Sequence, residues 1–383
     1  MPWKASRVVD ERMRFIVALQ ESDETFSELC RQFGISRKNG YKWVKRVEAL
    51  GAEGLNDRPP IARHHPAKTP DDIVDAIVAA RKQHSTWGPR KLRAWLGKDE
   101  TRHWPSPSVI GTILKTHGLI RPPRRRPRVP RSLDAVERGT APNEMWCTDF
   151  KGHFAVGDGT RCHPLTISDE ASRYLLKCEC LVAPRHELVL PQFEMAFREF
   201  GLPDAIRSDN GPPFASTAPG GLSALSVWWI RLGIRPVRIA PGEPQQNGVH
   251  ERMHRTLGAE TTKPPAGDLA EQQRVCDRFR AEYNDERPHE ALGMKPPVKV
   301  YSVSRRVMPA SPREPEYSDG EVRRCDSGGR VTVHGVRVRL GKVLANAHLS
   351  LREVADGREE LRYGPVLLGY IDRTSGETEF VLA

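Results

Sequence analysis

Residues 145–150 read Met-Trp-Cys-Thr-Asp-Phe, a short apolar run with an acid near its end. Alternation along a strand places Cys147, Asp149 and Lys151 on one face and the aromatic side chains on the other. A carboxylate in the middle of such a strand is costly unless something compensates its charge. The stretch therefore predicts a strand whose acid has a partner.

Two further acids occur in distinctive settings before residue 255. Residues 206–211 read Ile-Arg-Ser-Asp-Asn-Gly, where an apolar run ends at a turn that contains Asp209. Open α/β folds place their chemistry at such strand ends. Residues 246–255 read Gln-Asn-Gly-Val-His-Glu-Arg-Met-His-Arg, which predicts a loop leading into a helix that carries Glu251. Three carboxylates on two strands and one helix can converge to hold hard divalent cations, which prefer oxygen ligands.

Length, charge and cysteine usage narrow the class of protein. The 383 residues allow about two to four domains, and the net charge of +11 with a pI near 9.4 indicates a polyanionic partner. Charge alone does not separate nucleic acid from an acidic membrane surface. Because we find neither a long apolar run nor a signal-peptide core, we expect a soluble, intracellular protein. The seven cysteines are irregularly spaced, so we expect no disulfide framework, and we interpret Cys178 and Cys180 as alternate positions of a strand.

Residues 1–57 have the pattern of a helix-turn-helix. Helical apolar spacing begins at Glu11, Thr25 and Ser36 are placed to cap the next two helices, and Gly34 separates those helices. The apolar positions of the last helix repeat at Tyr41, Val44, Val47 and Leu50. Basic residues crowd that helix, which favours DNA binding over a plain three-helix bundle with solvated lysines. They are Arg37, Lys38, Lys42, Lys45 and Arg46.

A second helical unit and a basic linker follow. Residues 69–119 predict three short helices, which we interpret as a second small DNA-binding domain, although the pattern alone supports only a helical bundle. In the linker at 120–140, prolines keep the chain extended, so its arginines can follow a phosphate backbone. The alternative is a linker that only aids solubility. The arginines are Arg121, Arg124, Arg125, Arg126, Arg128 and Arg131.

Residues 141–301 alternate between strand and helix patterns. After the Asp149 strand, residues 161–168 and 174–182 predict two more strands, and three strands in succession predict an antiparallel meander. Further helices are predicted at 186–200, 222–232 and about 269–284, and further strands at 205–208 and 234–239. The whole predicts a central α/β domain with a mixed five-stranded sheet flanked by helices.

Four motifs in this domain resemble the retroviral-integrase-type core of bacterial insertion-sequence transposases. They are the Asp149 strand, the Ser-Asp-Asn-Gly turn at 208–211, the Pro-Gly-Glu-Pro-Gln-Gln-Asn-Gly loop at 241–248 and the Tyr-Asn-Asp-Glu-Arg-Pro-His stretch at 283–289. The order of helix-turn-helix, second helical unit and core is also similar. The resemblance implies an RNase H-like fold and a catalytic, metal-binding triad carried over onto Asp149, Asp209 and Glu251.

One departure from the family concerns spacing. Between Asp209 and Glu251 lie 41 residues, more than that family usually has between its second and third acids. The segment at 215–221 is rich in small residues, so we expect it to absorb the extra length as a surface loop.

The resemblance also implies a mechanism and partners. Two Mg²⁺ or Mn²⁺ ions would activate the attacking oxygen and stabilise the leaving oxygen of a phosphodiester. The nucleophile would be water for cleavage at an element end and then the DNA 3′-hydroxyl for joining to a target. The expected partner is double-stranded DNA, both terminal repeats and target, and synapsis of two ends implies a homo-oligomer. By the same likeness we expect a bacterial, cytoplasmic protein associated with the nucleoid and not with a membrane.

Supporting residues follow from position. Asn247 is placed to cap the Glu251 helix, Gly248 allows a phosphate to approach the backbone, and Asn210 and Gly211 belong to the turn after Asp209. Three basic residues share a strand or helix face with one of the acids. They are Lys151, beside Asp149, and His254 and Arg255, beside Glu251. They either contact DNA or form ion pairs with the acids themselves.

Other acids and the C-terminal region complete the interpretation. Asp158 and Asp169 adjoin turns, so we expect structural roles for both. Residues 318–383 show short alternating strands, beginning with a hairpin at 331–340, which predicts a small all-β barrel. The main hypothesis is a DNA transposase. The alternatives are a DNA-binding regulator with an idle core and a metal-dependent nuclease of the same fold.

Overall fold

The computed structural model describes residues 8–57, 68–120, 137–239, 247–355, 357–373, 375 and 377–381. These residues form two compact units, the first ending at Lys68 and the second beginning at Thr69. The arginines predicted to follow DNA in the linker lie outside the described residues, as does most of the loop at 241–248. They are Arg121, Arg124, Arg125, Arg126, Arg128 and Arg131.

The first unit contains three helices followed by a 3₁₀ turn. The helices are α1 (Val8–Glu21), α2 (Phe26–Gln32) and α3 (Arg37–Leu50), and the 3₁₀ turn is Gly51–Leu55. Thr25 forms a reciprocal capping box with Glu28, and the Ser36 hydroxyl accepts a hydrogen bond from the Asn39 amide at 3.3 Å. Gly34 has φ +62° between the two helices, a conformation that glycine adopts without strain. The predicted caps and break are therefore confirmed.

The buried face of α3 differs from the predicted one. Tyr41 is 55% exposed and Leu50 51% exposed, whereas Trp43 is buried against a core that includes Phe15 and Leu29. Gly40 lies so close to Cys30 that an added Cβ would be 2.8 Å from its Sγ. Gly40 therefore lets α3 approach α2 closely at Cys30. The buried face of α3 is rotated about the helix axis from the face that the apolar spacing indicated.

The second unit begins with a three-helix bundle. Its helices are α4 (Asp71–Gln83), α5 (Pro89–Leu96) and α6 (Pro107–Thr116). Ile77, Trp87, Leu92 and Ile110 are fully buried between them, and Ser106 caps α6. The predicted helices are confirmed, and the bundle packs on the domain that follows.

The central sheet is mixed. Its strands are β1 (Met145–Phe150), β2 (Phe154–Ala155), β3 (Arg161–Asp169), β4 (Leu175–Leu181), β5 (Ala205–Ser208) and β6 (Arg235–Arg238). Antiparallel pairing joins β4, β3 and β1, parallel pairing joins β1, β5 and β6, and the two-residue β2 adds to the end of β3. The meander and the mixed sheet are confirmed, with β2 as a sixth strand.

Helices cover both faces of this sheet. They are α7 (His186–Phe200), α8 (Ala224–Arg231), α9 (Gly248–Thr261) and α10 (Leu269–Ala281), the last continued by a π-helical turn at Glu282–Glu286. Trp146 packs with Phe193 and Trp229 in one core, and Cys178 packs with Leu257 in another. All seven cysteines are buried and unpaired by disulfides, as expected.

The segment at 215–221 is not the surface loop predicted from its small residues. Gly220 is buried with φ +66°, and its amide donates to the Val381 carbonyl at 2.7 Å. An added Cβ there would be 2.8 Å from Leu368. The extra residues before Glu251 therefore include a contact surface for the C-terminal sheet.

The C-terminal region is an open sheet, so the predicted closed barrel is wrong. The strands are β7 (Glu321–Arg324), β8 (Arg330–Val333), β9 (Val336–Arg339), β10 (His348–Ala355), β11 (Arg358–Tyr363), β12 (Val366–Asp372) and β13 (Thr378–Phe380). Five of them pair in the order β13-β12-β11-β10-β7, and β8 and β9 form a separate hairpin. A barrel needs its edge strands to pair with each other, and in the described residues β13 and β7 do not. Leu222, Val227 and Ile230 of the central domain instead complete the apolar core of this region.

Candidate functional site

Asp149 lies near the end of the central strand of the sheet. It is opposite Thr166 of β3, and the parallel pairing of β1 with β5 ends two residues earlier, at Cys147 and Arg207. The pKa of Asp149 is raised to about 7, chiefly by burial and next by the charge of Asp209. Glu251 adds to the rise, and the Phe150 amide and Lys151 oppose it. The structure thus places Asp149 where the other two predicted acids act on it.

Asp209 follows directly after β5, the strand adjacent to β1. Burial raises the pKa of Asp209, while the Gly211 amide donates to its carboxylate and lowers the pKa. Its Oδ1 is buried without a hydrogen-bond partner among the described residues. The side-chain Nδ2 of Asn210 donates to the Ile239 carbonyl at 2.9 Å, which connects this turn to the residue after β6. Asn210 and Gly211 therefore hold the turn that presents Asp209.

The two aspartates suit a divalent cation by their chemistry. Asp149 lies near the end of β1, and Asp209 directly follows the neighbouring parallel strand β5. Each is partly buried, and the negative charge of Asp209 disfavours the ionised form of Asp149. Asp209 Oδ1 is an acceptor that lacks a donor within the described part of the chain. Hard cations take carboxylate oxygens of this kind as ligands. Asp149 and Asp209 therefore fit as ligands of Mg²⁺ or Mn²⁺.

Glu251 is exposed in the first turn of α9. Its charge raises the pKa of Asp149, which indicates that α9 brings it toward the aspartates. Within the described residues, no three side chains of Asp, Glu, His or Cys lie close enough together to hold one metal ion. The structure thus brings Asp149 and Asp209 into one site with Glu251 at its margin, and the triad stays a prediction.

Two histidines attach α9 to the sheet. His250 and His254 are 1% and 7% exposed, and the Nε2 atom of each lies 2.7 Å from the Thr166 hydroxyl oxygen. That hydroxyl donates its proton to the Asp149 carbonyl at 3.0 Å, so both rings must donate to it from Nε2. The Ser168 hydroxyl lies 2.9 Å from His250 Nδ1 and can donate to it. The network fixes α9 beside the strand that carries Asp149.

His254, predicted as a DNA contact or an ion-pair partner of the acids, is buried, and a DNA contact by this residue stays a prediction. Burial lowers the pKa of His254 to about 3, so the ring is neutral, and its Nδ1 lies 3.8 Å from Asp149 Oδ2. That contact is therefore neither a hydrogen bond nor an ion pair. The signal for the buried face was present in the sequence. His250, Met253, His254 and Leu257 follow helical i, i+3, i+4, i+7 spacing, and Glu251 lies outside that set.

Asn247 does not cap α9 with its side chain. It is 4% exposed, no capping hydrogen bond is formed, and its Oδ1 has no partner among the described residues. Its backbone has φ −101° and ψ 16°, outside the extended conformation usual for a capping residue. Gly248 has open space where a Cβ would be, so packing does not require glycine there.

Lys151 and Arg255 remain available at the site. Lys151 is half-buried with its side chain against Gly258 of α9, and its charge lowers the pKa values of both Asp149 and His254. Arg255 is exposed. A DNA contact by either residue stays a prediction.

A buried ion pair behind the site was not predicted. Arg207, two residues before Asp209, is 2% exposed, and its Nη1 donates to Glu170 at 2.9 Å. Arg138 also reaches Glu170 at 3.4 Å. Removing one partner of a buried pair leaves an uncompensated charge, so Glu170 is a structural acid that holds β5 in place. Asp169 is likewise structural, since it accepts from Ser172 and from the Asn143 amide.

In the first unit, the predicted DNA-binding residues lie on α3. Arg37, Lys38, Lys42 and Lys45 are exposed, and Arg46 is half-buried and donates to the Asn56 carbonyl at 2.8 Å. Lys42 and Arg46 also lie over the Trp43 ring, at 4.6 and 4.8 Å from its centroid. Two of the five cations are thus partly ordered by cation–π contacts.

Comparisons with known families match both parts of the chain. Models of an integrase core domain match residues 139–244 and 232–297. Models of a helix-turn-helix domain and a homeodomain-like domain match residues 11–63 and 39–114. Within the described residues, no helix is both long enough and apolar enough to cross a membrane.

Similar proteins include two from insertion elements. The chain is 28% identical over 254 residues to the uncharacterized 31.7 kDa protein of insertion element IS407 from Burkholderia multivorans, which covers 64% of this chain and 88% of that protein. It is 25% identical over 252 residues to the uncharacterized 39.2 kDa protein of insertion element IS476 from Xanthomonas euvesicatoria, covering 65% and 70%. The HTLV-2 integrase catalytic core in complex with magnesium is 17% identical with a TM-score of 0.35, covering 43% of this chain and 100% of that one.

Proposed function

We propose that this chain cleaves DNA at the ends of its element and joins the freed 3′-hydroxyl to target DNA. The support is an integrase-type core that follows helix-turn-helix domains, which is the organisation of an insertion-sequence transposase. The observation that carries the proposal is the pair of partly buried aspartates at the ends of neighbouring parallel strands. Such a pair has no evident role in stability, because burial and like charge both disfavour ionisation.

Asp149 and Asp209 would hold Mg²⁺ or Mn²⁺, with Glu251 as the third ligand and two ions in all. When bound, the ions would polarise the scissile phosphodiester and lower the pKa of the attacking hydroxyl group. Thr166, His250 and His254 position α9, and through it Glu251, relative to Asp149. Because both imidazoles are buried and uncharged, they orient the helix without adding positive charge that would repel the cations.

The remaining basic residues would bind DNA. Lys151 and Arg255 would contact the strand at the site, and the cations of α3 would read or position an element end. The linker arginines at 121–131 would follow the phosphate backbone. Synapsis of two element ends requires more than one copy of the chain, so we propose a homo-oligomer on double-stranded DNA in the bacterial cytoplasm, at the nucleoid.

The test is a cleavage and joining assay with DNA that flanks the gene. Wild-type protein with Mg²⁺ or Mn²⁺ is expected to nick the element ends and join them to target, and Asp149→Asn and Asp209→Asn are each expected to reduce both steps to background. Asp158→Asn is the matched control, because Asp158 lies in an exposed turn where it accepts from the Thr160 amide. Full activity in Asp149→Asn would disprove the assignment.

Pre-cleaved ends with a free 3′-hydroxyl separate the alternatives. A transposase joins them to target DNA, a nuclease of the same fold does not, and a DNA-binding regulator with an idle core shows neither reaction with any divalent cation. Joining by the wild-type protein therefore excludes both alternatives.

A further inference from the structure

A basic cavity of about 450 Å³ lies beside α9, outside the aspartate pair. We propose that it binds a phosphate group of a DNA strand. The inference rests on the proposed function for the identity of the strand, although the anion site itself does not depend on catalysis. The charged and imidazole side chains that line the cavity are Lys91, Arg173, Arg252, Arg287, His289 and Glu290.

Four separate segments converge on this cavity. Lys91 comes from α5 of the helical bundle, Arg173 from the turn between β3 and β4, Arg252 from α9, and Arg287 from the chain after α10. The bundle is held there by His84, whose Nδ1 lies 2.8 Å from Glu282. Basic side chains from distant parts of the sequence thus line one cavity. A single basic segment exposed to solvent would not give this arrangement.

The positive charge in the cavity is only partly neutralised. Arg287 pairs with Glu260 at 2.8 Å, and Glu290 is the acid in the wall. Arg173 forms no salt bridge within the described residues, and its Nη1 is buried without a hydrogen-bond partner there. Its backbone also has φ +65°, which the surrounding turn must maintain. A half-buried guanidinium with a free donor indicates that an acceptor is still to be supplied.

Two other groups show the same positive field. The pKa of Lys91 is lowered to about 8, first by burial and next by the charge of Arg287. Burial, with Lys91 and Arg287 next, lowers the pKa of His289 to about 3, so that ring stays neutral, and its Nε2 is buried without a partner in the described part of the chain. A bound anion would offset the field and accept from Arg173.

A nucleic-acid phosphate is the anion that suits these groups. Guanidinium groups match phosphate oxygens in geometry, and the cavity is large enough for a phosphate with its sugar. Arg252 directly follows Glu251, so a strand held in the cavity would pass beside the predicted catalytic acid. Free inorganic phosphate has the same chemistry, and the experiment separates the two sources.

The first arm measures phosphate at Lys91 directly. Lysines of the full-length protein are acetylated at limiting reagent, and the rate at Lys91 is followed by mass spectrometry with inorganic phosphate, with a 5′-phosphorylated dinucleotide, or with sodium chloride at equal ionic strength. Both phosphate probes are expected to slow Lys91 severalfold and to leave exposed Lys115 unchanged. Equal rates at Lys91 in all three solutions would overturn the proposal.

The second arm tests DNA as the source. In full-length protein, Lys91→Ala with Arg252→Ala is expected to weaken DNA binding and to reduce the slope of log K against log salt by about 1 to 2, since each phosphate contact contributes about 0.9. Arg274→Ala, which removes an exposed arginine of α10, is the matched control and should keep the wild-type slope. An unchanged slope in the double variant, beside protection of Lys91 by phosphate, would assign the cavity to a free phosphate and refute the DNA strand.

These outcomes are separable from those of catalysis. Protection of Lys91 together with no joining activity would leave the phosphate site standing and reject the transposase function. Joining activity without protection of Lys91 would do the reverse.

Discussion

The second unit contains two clusters of charged side chains, one acidic and one basic. Helix α9 contributes to both. Asp149 and Asp209 form the acidic pair, with Glu251 at its margin, and the cavity lined by Lys91 and Arg173 forms the basic group. In each group, burial disfavours the charged form: it raises the pKa of Asp149 to about 7 and lowers that of Lys91 to about 8. The fold therefore maintains two sites that counter-ions from outside would neutralise, a divalent cation at one and a phosphate at the other.

The two groups differ in how the protein supports them. The acidic pair lies on strands of the central sheet, and neutral histidines fix the helix beside it. The basic cavity joins four segments, including the N-terminal bundle of this unit. Rigid elements suit ligands whose positions must be held closely, whereas a site between segments can be completed or opened by small movements of those segments.

The largest expected effect is at the acidic pair. A divalent cation that binds the folded state alone should stabilise the wild-type protein by about 2.7 kcal/mol at a concentration of 100 times its Kd, and Asp149→Asn with Asp209→Asn should abolish that gain. Thermal unfolding with Mn²⁺ against EDTA measures it, with Asp158→Asn as control. An equal rise in Tm in the double variant would show that the cation binds elsewhere.

The next effect concerns the network that connects α9 to the sheet. Thr166→Val removes the oxygen that accepts from His250 and His254, so two buried N–H groups lose their partner. We expect a loss of about 1–3 kcal/mol in the free energy of unfolding, measured by urea titration. Thr112→Val is the control, since the exposed Thr112 hydroxyl donates only to the Ser108 carbonyl of its own helix. A loss no larger than in the control would mean that the network does not hold the helix.

The smallest effect is a pH dependence at the basic cavity. His289 has its pKa lowered to about 3 when folded, below the ordinary value of 6.5, so its contribution to stability is present above pH 6.5 and is lost as the pH falls toward 3. Its charged neighbours are Lys91, Arg287 and Arg173. His289→Gln should therefore reduce the slope of unfolding free energy against pH in this window. The reduction corresponds to at most about one proton fewer bound on unfolding. Urea titrations at pH 4 and pH 7 measure it, and an unchanged slope would show that His289 does not titrate in this way.

The sequence by itself determined the elements that depend on neighbours along the chain. Helix α7 and strand β5 have the bounds that periodicity and turn residues predicted, and the hydroxyls of Thr25 and Ser36 cap their helices. Capping, alternation and helical spacing act over a few residues, so a single sequence contains their whole cause. The two aspartates could be selected for the same reason, since Asp149 lies in a recognisable strand and Asp209 directly follows one.

Only the tertiary structure decided the features that depend on distant partners. Helical spacing marks the face of α9 that carries Met253, His254 and Leu257, but only packing sets the core that this face meets, which includes Cys276 of another helix. The C-terminal sheet stays open because its core is completed by Leu222 and Ile230 of the central domain, and closure depends on which strands pair. The cavity beside α9 likewise exists only where four segments meet. Residue type sets what each side chain can do, but packing between remote elements decides which side chains face one another.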